Sequence, residues 1–293
     1  MRPGLRFVHV ALLVAVSAAL AAATWTLWVE PSSLRSREYP LEMRGWPAAC
    51  HGLRVAVLAD VHVGSPFNGP GNLQRVVELT RRAQPDLVLL AGDYVVDGVL
   101  GGTFHAPEAW APVLEGLRAP AGVFGVLGNH DWWLDPGRVR RALESASVRV
   151  LEDQAVHVAL GDCRFWLAGV SDYREGRHDV AAALALVPAD APVVVFTHNP
   201  DLFPEVPARV ILTVAGHTHG GQVRLPLIGR PVVPSRYGQR FAAGHVVEDG
   251  HHLFVSTGVG TSILPIRFRV PPEVSVLTLC GPGSCGRAGV VPR

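Results

Sequence analysis

Five apolar runs in this chain end on side chains that bind metals or move protons. VAVLADVH delivers Asp60 and His62, LVLLAGD delivers Asp93, and VFGVLGNHD delivers Asn129, His130 and Asp131. VVVFTHN then carries His198, and VILTVAGHTH carries His217 and His219. Oxygen and imidazole donors without a thiolate suit Mn, Fe or Zn rather than a soft-metal or structural zinc site. Asp60, His62, Asp93, Asn129, His198, His217 and His219 are more donors than one ion needs. Two ions about 3.5 to 4 Å apart, sharing one carboxylate, would use them all; such a pair holds a bridging hydroxide as nucleophile and neutralises phosphoryl oxygens during in-line displacement. The chemistry indicated is phosphoester hydrolysis.

Taken singly, each stretch has an ordinary explanation, since Asp favours turns and caps and a lone His is usually a hydrogen-bonded core or surface residue. Their common placement carries the argument. Ligands of open α/β sheets bind beyond the carboxyl ends of the strands, so five such endings can converge. Short Val/Leu/Ile runs alternate with helix-like segments, Asn72 to Ala83 and Pro136 to Ala146 among them, which predicts an α/β domain. If the segment after Gly216 is extended, His217 and His219 point the same way and present two imidazoles to adjacent ions. Gly216, Gly220 and Gly221 let backbone pass where a Cβ would intrude.

The five stretches, in this order, resemble the motifs of the calcineurin-like metallophosphoesterase superfamily: D-x-H, G-D, G-N-H-D, a later H and G-H-x-H, spanning about Leu53 to Leu279. THNPD and GHTHGGQ look closest to a bacterial membrane-associated branch, which includes anchored or exported phosphodiesterases and some UDP-diacylglucosamine pyrophosphohydrolases. The resemblance implies a metallophosphatase-type αββα sandwich. It further implies that Asp60, His62 and His219 bind one metal and Asn129, His198 and His217 the other, with Asp93 bridging. His130 would be the general acid, oriented by Asp131. Two divalent ions are expected, Mn first with Fe or Zn as alternatives, and a phosphodiester or pyrophosphate substrate, with a lipid-linked one as the sharper version. The alternatives are a non-catalytic scaffold of the same fold and a metal-dependent nuclease.

Phe7 to Val29 has His9 as its only titratable residue and reaches roughly 35 Å as a helix, enough to cross a hydrocarbon core of about 30 Å. Trp25 and Trp28 would lie at the far interface. A signal peptide cleaved near Ala21-Ala22-Ala23 is the other reading, but the apolar run continues past that point, as an uncleaved single-pass cell-membrane anchor would. Arginines on both sides of the span leave the face open. The predicted organisation is an anchor over 1–29, a Pro-interrupted linker over 30–52, a catalytic domain over 53–280 and a disordered tail over 281–293.

All 26 basic residues are arginine, balanced by 25 acidic ones to +1, which argues against nucleic acid as a partner. Cys50, Cys163, Cys280 and Cys285 have no metal-type spacing; Cys280 and Cys285 could close a small loop or remain free thiols. Asp97 is a candidate support for Asp93, and Tyr94, Trp132 and Trp133 are candidate substrate walls. Arg224, Arg230, Arg236 and Arg240 could hold a phosphate or anionic head group. His245, His251 and His252 are expected on a solvated hairpin.

Overall fold

The computed structural model describes residues 3–285. Helix α1 (Pro3–Thr24) runs on into a wider turn, Trp25–Val29, and the chain then enters a two-sheet body. The strands are β1 (Arg35–Glu42), β2 (Leu53–Leu58), β3 (Leu87–Ala91), β4 (Val123–Val126), β5 (Arg149–Val150), β6 (Gln154–Leu160), β7 (Cys163–Gly169), β8 (Val193–Phe196), β9 (Leu212–Ala215), β10 (Gly244–Glu248), β11 (His251–Val255) and β12 (Glu273–Cys280). Between them lie α2 (Pro70–Arg82), α3 (Pro107–Leu114), α4 (Asn129–Leu134), α5 (Pro136–Ser145) and α6 (Val180–Leu184).

One sheet has the order β1-β12-β2-β3-β4-β5 and the other β10-β11-β9-β8-β7-β6. Strands buried on both faces read as continuous apolar runs, as β3 and β8 do. Val57, Leu89, Phe124 and Val126 of the first sheet pack against Phe165, Leu167, Val194, Phe196 and Val214 of the second. The outer face of the first sheet is covered by α2, α3 and α5 through Leu73, Val76, Trp110, Val139 and Leu143, and that of the second by α6 through Ala183 and Leu184. The layering is αββα, as the resemblance implied. Strands β2, β3 and β4 run parallel to one another, as do β7, β8 and β9. All five motif-bearing ends therefore lie along one edge of the sandwich.

Two expectations change. The stretch 30–52 is not a free linker: β1 pairs in parallel with β12 over eight residues, from Arg35 with Glu273 to Glu42 with Cys280. Its polarity suits an edge strand, which tolerates Pro40 and solvent-facing arginines. Residues 281–285 of the expected tail are held by a Cys280–Cys285 disulfide, while 286–293 lie outside the described residues. A second disulfide joins Cys50, just before β2, to Cys163 at the start of β7, stapling the two sheets together.

Candidate metal centre

The five strand ends bring the seven candidate ligands into one buried cluster, each at most 6% exposed. Asp60, His62 and His219 form one group of donors within 4.8 Å of one another, and Asp93, His198 and His217 a second. The Asp93 carboxylate faces both: its Oδ2 lies 3.6 Å from His62 Nε2 and 3.2 Å from His198 Nε2. His62 Nε2 lies 3.2 Å from His219 Nε2, and His198 Nε2 3.1 Å from His217 Nδ1.

The backbone is bent to achieve this. Asp60, His62, Asp93, His217 and His219 all take positive φ, between 41° and 68°. Non-glycine residues adopt this region rarely, and when they do at a cluster of chemistry the strain is held by surrounding contacts. Here the contacts are visible. Asp60 N donates to Gly92 O, and His62 N to Asp93 O, both at 3.0 Å. His217 N donates to both oxygens of Asp60 at 3.0 Å. The His217–His219 segment is therefore not extended, contrary to the sequence expectation: His219 opens a short 3-10 turn, and the two imidazoles diverge to different partners. Glycines make room. A Cβ on Gly92 would meet Gly128 N at 2.6 Å and His198 Nδ1 at 2.9 Å, and one on Gly216 would meet Ala59 Cβ at 2.6 Å and Asp60 Oδ2 at 2.8 Å.

Two histidines are pre-oriented. His62 Nδ1 lies 2.8 Å from Val95 O and His198 Nδ1 2.8 Å from Ala91 O, so each Nδ1–H donates outward and each Nε2 turns its lone pair inward. Among the described residues, the buried atoms Asn129 Oδ1, His217 Nε2 and His219 Nδ1 have no hydrogen-bond partner. Donors about 2.1 Å from one ion sit about 3 to 3.5 Å apart, which is the separation found here. Burial pushes the Asp60 carboxyl up to about 7, with Asp93 adding to it and His198 opposing. His198 is buried too, which disfavours its cation, yet Asp93 and Asp60 outweigh burial and raise it to about 10. Burial lowers His62 to about 4 and His217 to about 3. The cluster gathers two carboxylates against neutral His62 and His217, with the His198 cation standing between Asp93 and Asp60 where added positive charge is favoured. Divalent cations fit that donor set.

His130 stands at the mouth. Its Nε2 is 3.9 Å from Asp93 Oδ2, its ring meets His62 edge-on at 4.7 Å and Trp133 at 4.6 Å, and its backbone N donates to Asp93 Oδ1 at 2.9 Å. Asp131 does not orient that ring. Its oxygens accept four backbone N–H groups instead, from Asp93 and Gly128 at 2.9 Å, Tyr94 at 3.0 Å and Val95 at 3.2 Å. A side chain turned into the loop it belongs to cannot reach outward to its neighbour. Asp131 is thus a backbone clamp that holds the Asp93 turn against the Asn129 turn.

The remaining candidates divide. Trp133, 52% exposed, lines a cavity of about 180 Å³ with His130, Val95, Val96, Asp97, Phe104 and Leu134. Asp97 is exposed at that cavity. Tyr94 is buried, its one hydroxyl proton shared between Leu90 O and Val126 O, and Trp132 packs against the core, so neither forms a wall. Arg240 pairs with Glu248, and Arg236 donates to the Tyr173 hydroxyl. His245 and His252 meet at 2.9 Å across the β10–β11 hairpin. A larger open hollow of about 520 Å³, between Val180, Glu205 and Arg209, holds none of the candidate ligands.

Sequence reasoning missed Glu152, which accepts the Leu127 N–H at 2.9 Å just before the Asn129 turn. It also missed Arg267, fully buried, whose guanidinium donates to the carbonyls of Val270, Thr257, Gly258 and Gly260. Neither lies in a motif; a buried arginine is signalled only by the carbonyls that surround it.

Residues 53–221 match the family model described as calcineurin-like phosphoesterase. The phosphodiesterase YaeI of Escherichia coli is 34% identical over 233 residues, covering 77% of this chain and 82% of that one. The metallophosphoesterase YkuE of Bacillus subtilis is 28% identical over 255 residues, covering 86% and 87%. A zebrafish (Danio rerio) transmembrane protein with metallophosphoesterase domain is 25% identical over 287 residues, covering 93% of this chain and 63% of that one.

Proposed function

The chain belongs to the calcineurin-like phosphoesterase family, and from that premise we propose a dinuclear, metal-dependent hydrolysis of a phosphodiester or pyrophosphate. The observation that carries the dinuclear reading is the Asp93 carboxylate, which faces His62 on one side and His198 on the other at 3.6 and 3.2 Å. Asp60, His62 and His219 would hold one ion, Asn129, His198 and His217 the other, and Asp93 both. Bound there, divalent ions supply Lewis acidity toward phosphoryl oxygen and an acidified water.

The protein's own groups do the rest. His130 lies at the rim of the centre, about 9% exposed, with its Nε2 3.9 Å from Asp93 Oδ2. It would deliver the proton that the departing alkoxide or phosphate needs. The cavity beside it, walled by Phe104 and Trp133, would take the leaving group and shield that proton transfer from water. A diester is favoured over a monoester by the phosphodiesterase name of the Escherichia coli relative.

The proposal places this domain on a membrane. Phe7–Val29 has a mean hydropathy of 2.2 and none of its apolar window is buried, as for a spanning helix. The two disulfides support an oxidising compartment for the domain.

The test is the purified full chain in detergent, stripped of metal and reloaded separately with Mn, Fe, Zn or Mg, against paired chromogenic monoester and diester substrates. Metal-dependent hydrolysis that favours the diester is expected. Hydrolysis unaffected by chelation, or confined to the monoester, overturns it.

A further inference from the structure

The helical anchor is fixed to the body at the loops that rim the metal centre. Arg267 N donates to Thr26 O at 3.0 Å, and Val270 N to Glu30 Oε1 at 2.5 Å. The other carboxylate oxygen of Glu30 accepts the Trp25 indole N–H at 2.7 Å. Trp28 meets Phe67 edge-on at 5.3 Å. Glu30 is 4% exposed and Arg267 is completely buried, so this joint is part of the fold and does not behave as a tether.

Round that joint, large apolar side chains stand in solvent. Ile263 and Leu264 are 72% and 46% exposed, Leu100 67%, and Leu227 and Ile228 107% and 64%. They are tied together by backbone. Leu100 N donates to Ile263 O at 2.9 Å, and Gln222 binds Leu264 O and Ser262 N with its side chain. Arg224 N donates to Phe268 O at 2.9 Å and opens the hairpin whose tip is Pro226-Leu227-Ile228. Arg224 and Arg230 flank that tip, and no Asp or Glu occurs between Gln222 and Val247 or between Ser256 and Pro272. An apolar tip between arginines, beside an indole pair at the end of an apolar helix, matches the layering of a bilayer interface.

We propose that this rim is seated on the membrane, with Leu227, Ile228, Ile263, Leu264 and Leu100 dipping among the acyl chains and Arg224 and Arg230 at anionic lipid head groups. The occupant is the bilayer that receives the anchor, because the rim is continuous with the anchor's docked end. The proposal rests on the reading of Phe7–Val29 as a membrane span. Gln222, which holds the rim loop, lies three residues beyond His219, so the seated rim brings the mouth of the metal centre to the lipid surface. Substrate would then enter from the bilayer plane.

The test uses the full chain in vesicles of phosphatidylcholine with phosphatidylglycerol. The four native cysteines are paired, so a single added cysteine carries an environment-sensitive fluorophore. Labels are placed singly at Val16→Cys in the anchor, at Leu227→Cys and Ile263→Cys on the rim, and at Val247→Cys, an exposed residue of the β10–β11 hairpin away from the joint. Nitroxide lipids report depth by quenching. Quenching at Val16→Cys, Leu227→Cys and Ile263→Cys, with none at Val247→Cys, is expected. Quenching at Val16→Cys alone overturns the seating while leaving the anchor intact, and absence of quenching at Val16→Cys overturns the anchor and the seating with it. Replacing phosphatidylglycerol by phosphatidylcholine should reduce rim quenching, and an unchanged signal overturns the role of the arginines.

Discussion

The backbone N–H of His217 donates to both oxygens of the Asp60 carboxylate at 3.0 Å, joining strand ends 157 residues apart in sequence. One carboxylate thereby serves the cluster twice, as a candidate ligand and as the cap of the turn that aims His217 and His219. Gly216 gives it the room. A methyl there would lie 2.8 Å from Asp60 Oδ2 and 2.6 Å from Ala59 Cβ, neither of which can yield without moving β2. Gly216→Ala should weaken metal binding at least as much as it destabilises the fold, by about 1 to 3 kcal/mol for an overpacked site. Titration of metal into the stripped variant checks this; wild-type affinity would show that the close approach has no bearing on the centre.

Asp93 is the group whose loss should be felt by both groups of donors. Burial raises its pKa, but His198 and His130 outweigh that and hold it well below the usual carboxylate range, so it is present as the anion. Asp93→Asn keeps the shape and removes the charge. Turnover should fall by more than about a thousandfold, on the scale of losing a principal electrostatic group, and bound metal should drop below that of wild type. Near-normal turnover in a metal-loaded Asp93→Asn protein would sink the dinuclear mechanism.

His130 and Asp131 are adjacent and should separate cleanly. Removing the Asp131 carboxylate leaves four buried N–H donors without an acceptor, at about 1 to 3 kcal/mol for each that water does not reach. Asp131→Ala should therefore lower the unfolding midpoint and scatter the centre. His130→Ala should keep both the midpoint and the metal content and lower kcat alone by about a hundredfold or more. Metal loss in His130→Ala would make His130 a ligand, and a normal midpoint in Asp131→Ala would remove the clamp.

The parts of this arrangement that were legible from sequence are those where one physical requirement writes one pattern. Strands buried on both faces must be apolar throughout, so the runs ending at Asp60, Asp93, Asn129, His198 and His217 stand out. The polar β1 does not, because RSREYPLE at a sheet edge obeys no such demand. Asp131 looked like a partner of its neighbour because backbone donors are invisible in a sequence. The left-handed turn at His217 depends on Asp60, far away in the chain, and nothing local announces it. Four cysteines allow three pairings, and only the stacking of the two sheets brings Cys50 against Cys163.

That disulfide closes a loop across 113 residues and is buried between the sheets. Loop closure of that length restricts the unfolded chain by about 4 to 5 kcal/mol in the chain-entropy account. The double variant Cys50→Ala/Cys163→Ala should lose most of that in denaturant unfolding, and reductant should shift wild type toward it. A denaturation midpoint indifferent to both would mean that the staple is not formed in the protein, and with it would go the argument for an oxidising compartment.

Glu152 gives a pH signature separate from the metal centre. One oxygen accepts the Leu127 N–H at 2.9 Å and the other has no partner among the described residues. Burial raises its carboxyl from 4.5 to about 7, against the pull of that hydrogen bond and of Arg140. A carboxyl raised on folding favours the native state while protonated. Its contribution is therefore full below pH 4.5 and lost as pH rises through about 7, a change of about 3 kcal/mol. Glu152→Gln keeps an acceptor for Leu127 N and cannot ionise, so it should be the more stable protein above pH 7 and should close on wild type below pH 4.5. Unfolding free energies measured in denaturant across that window decide it. Parallel profiles for the two proteins would show that Glu152 is ionised throughout and that the turn before Asn129 is held by a carboxylate.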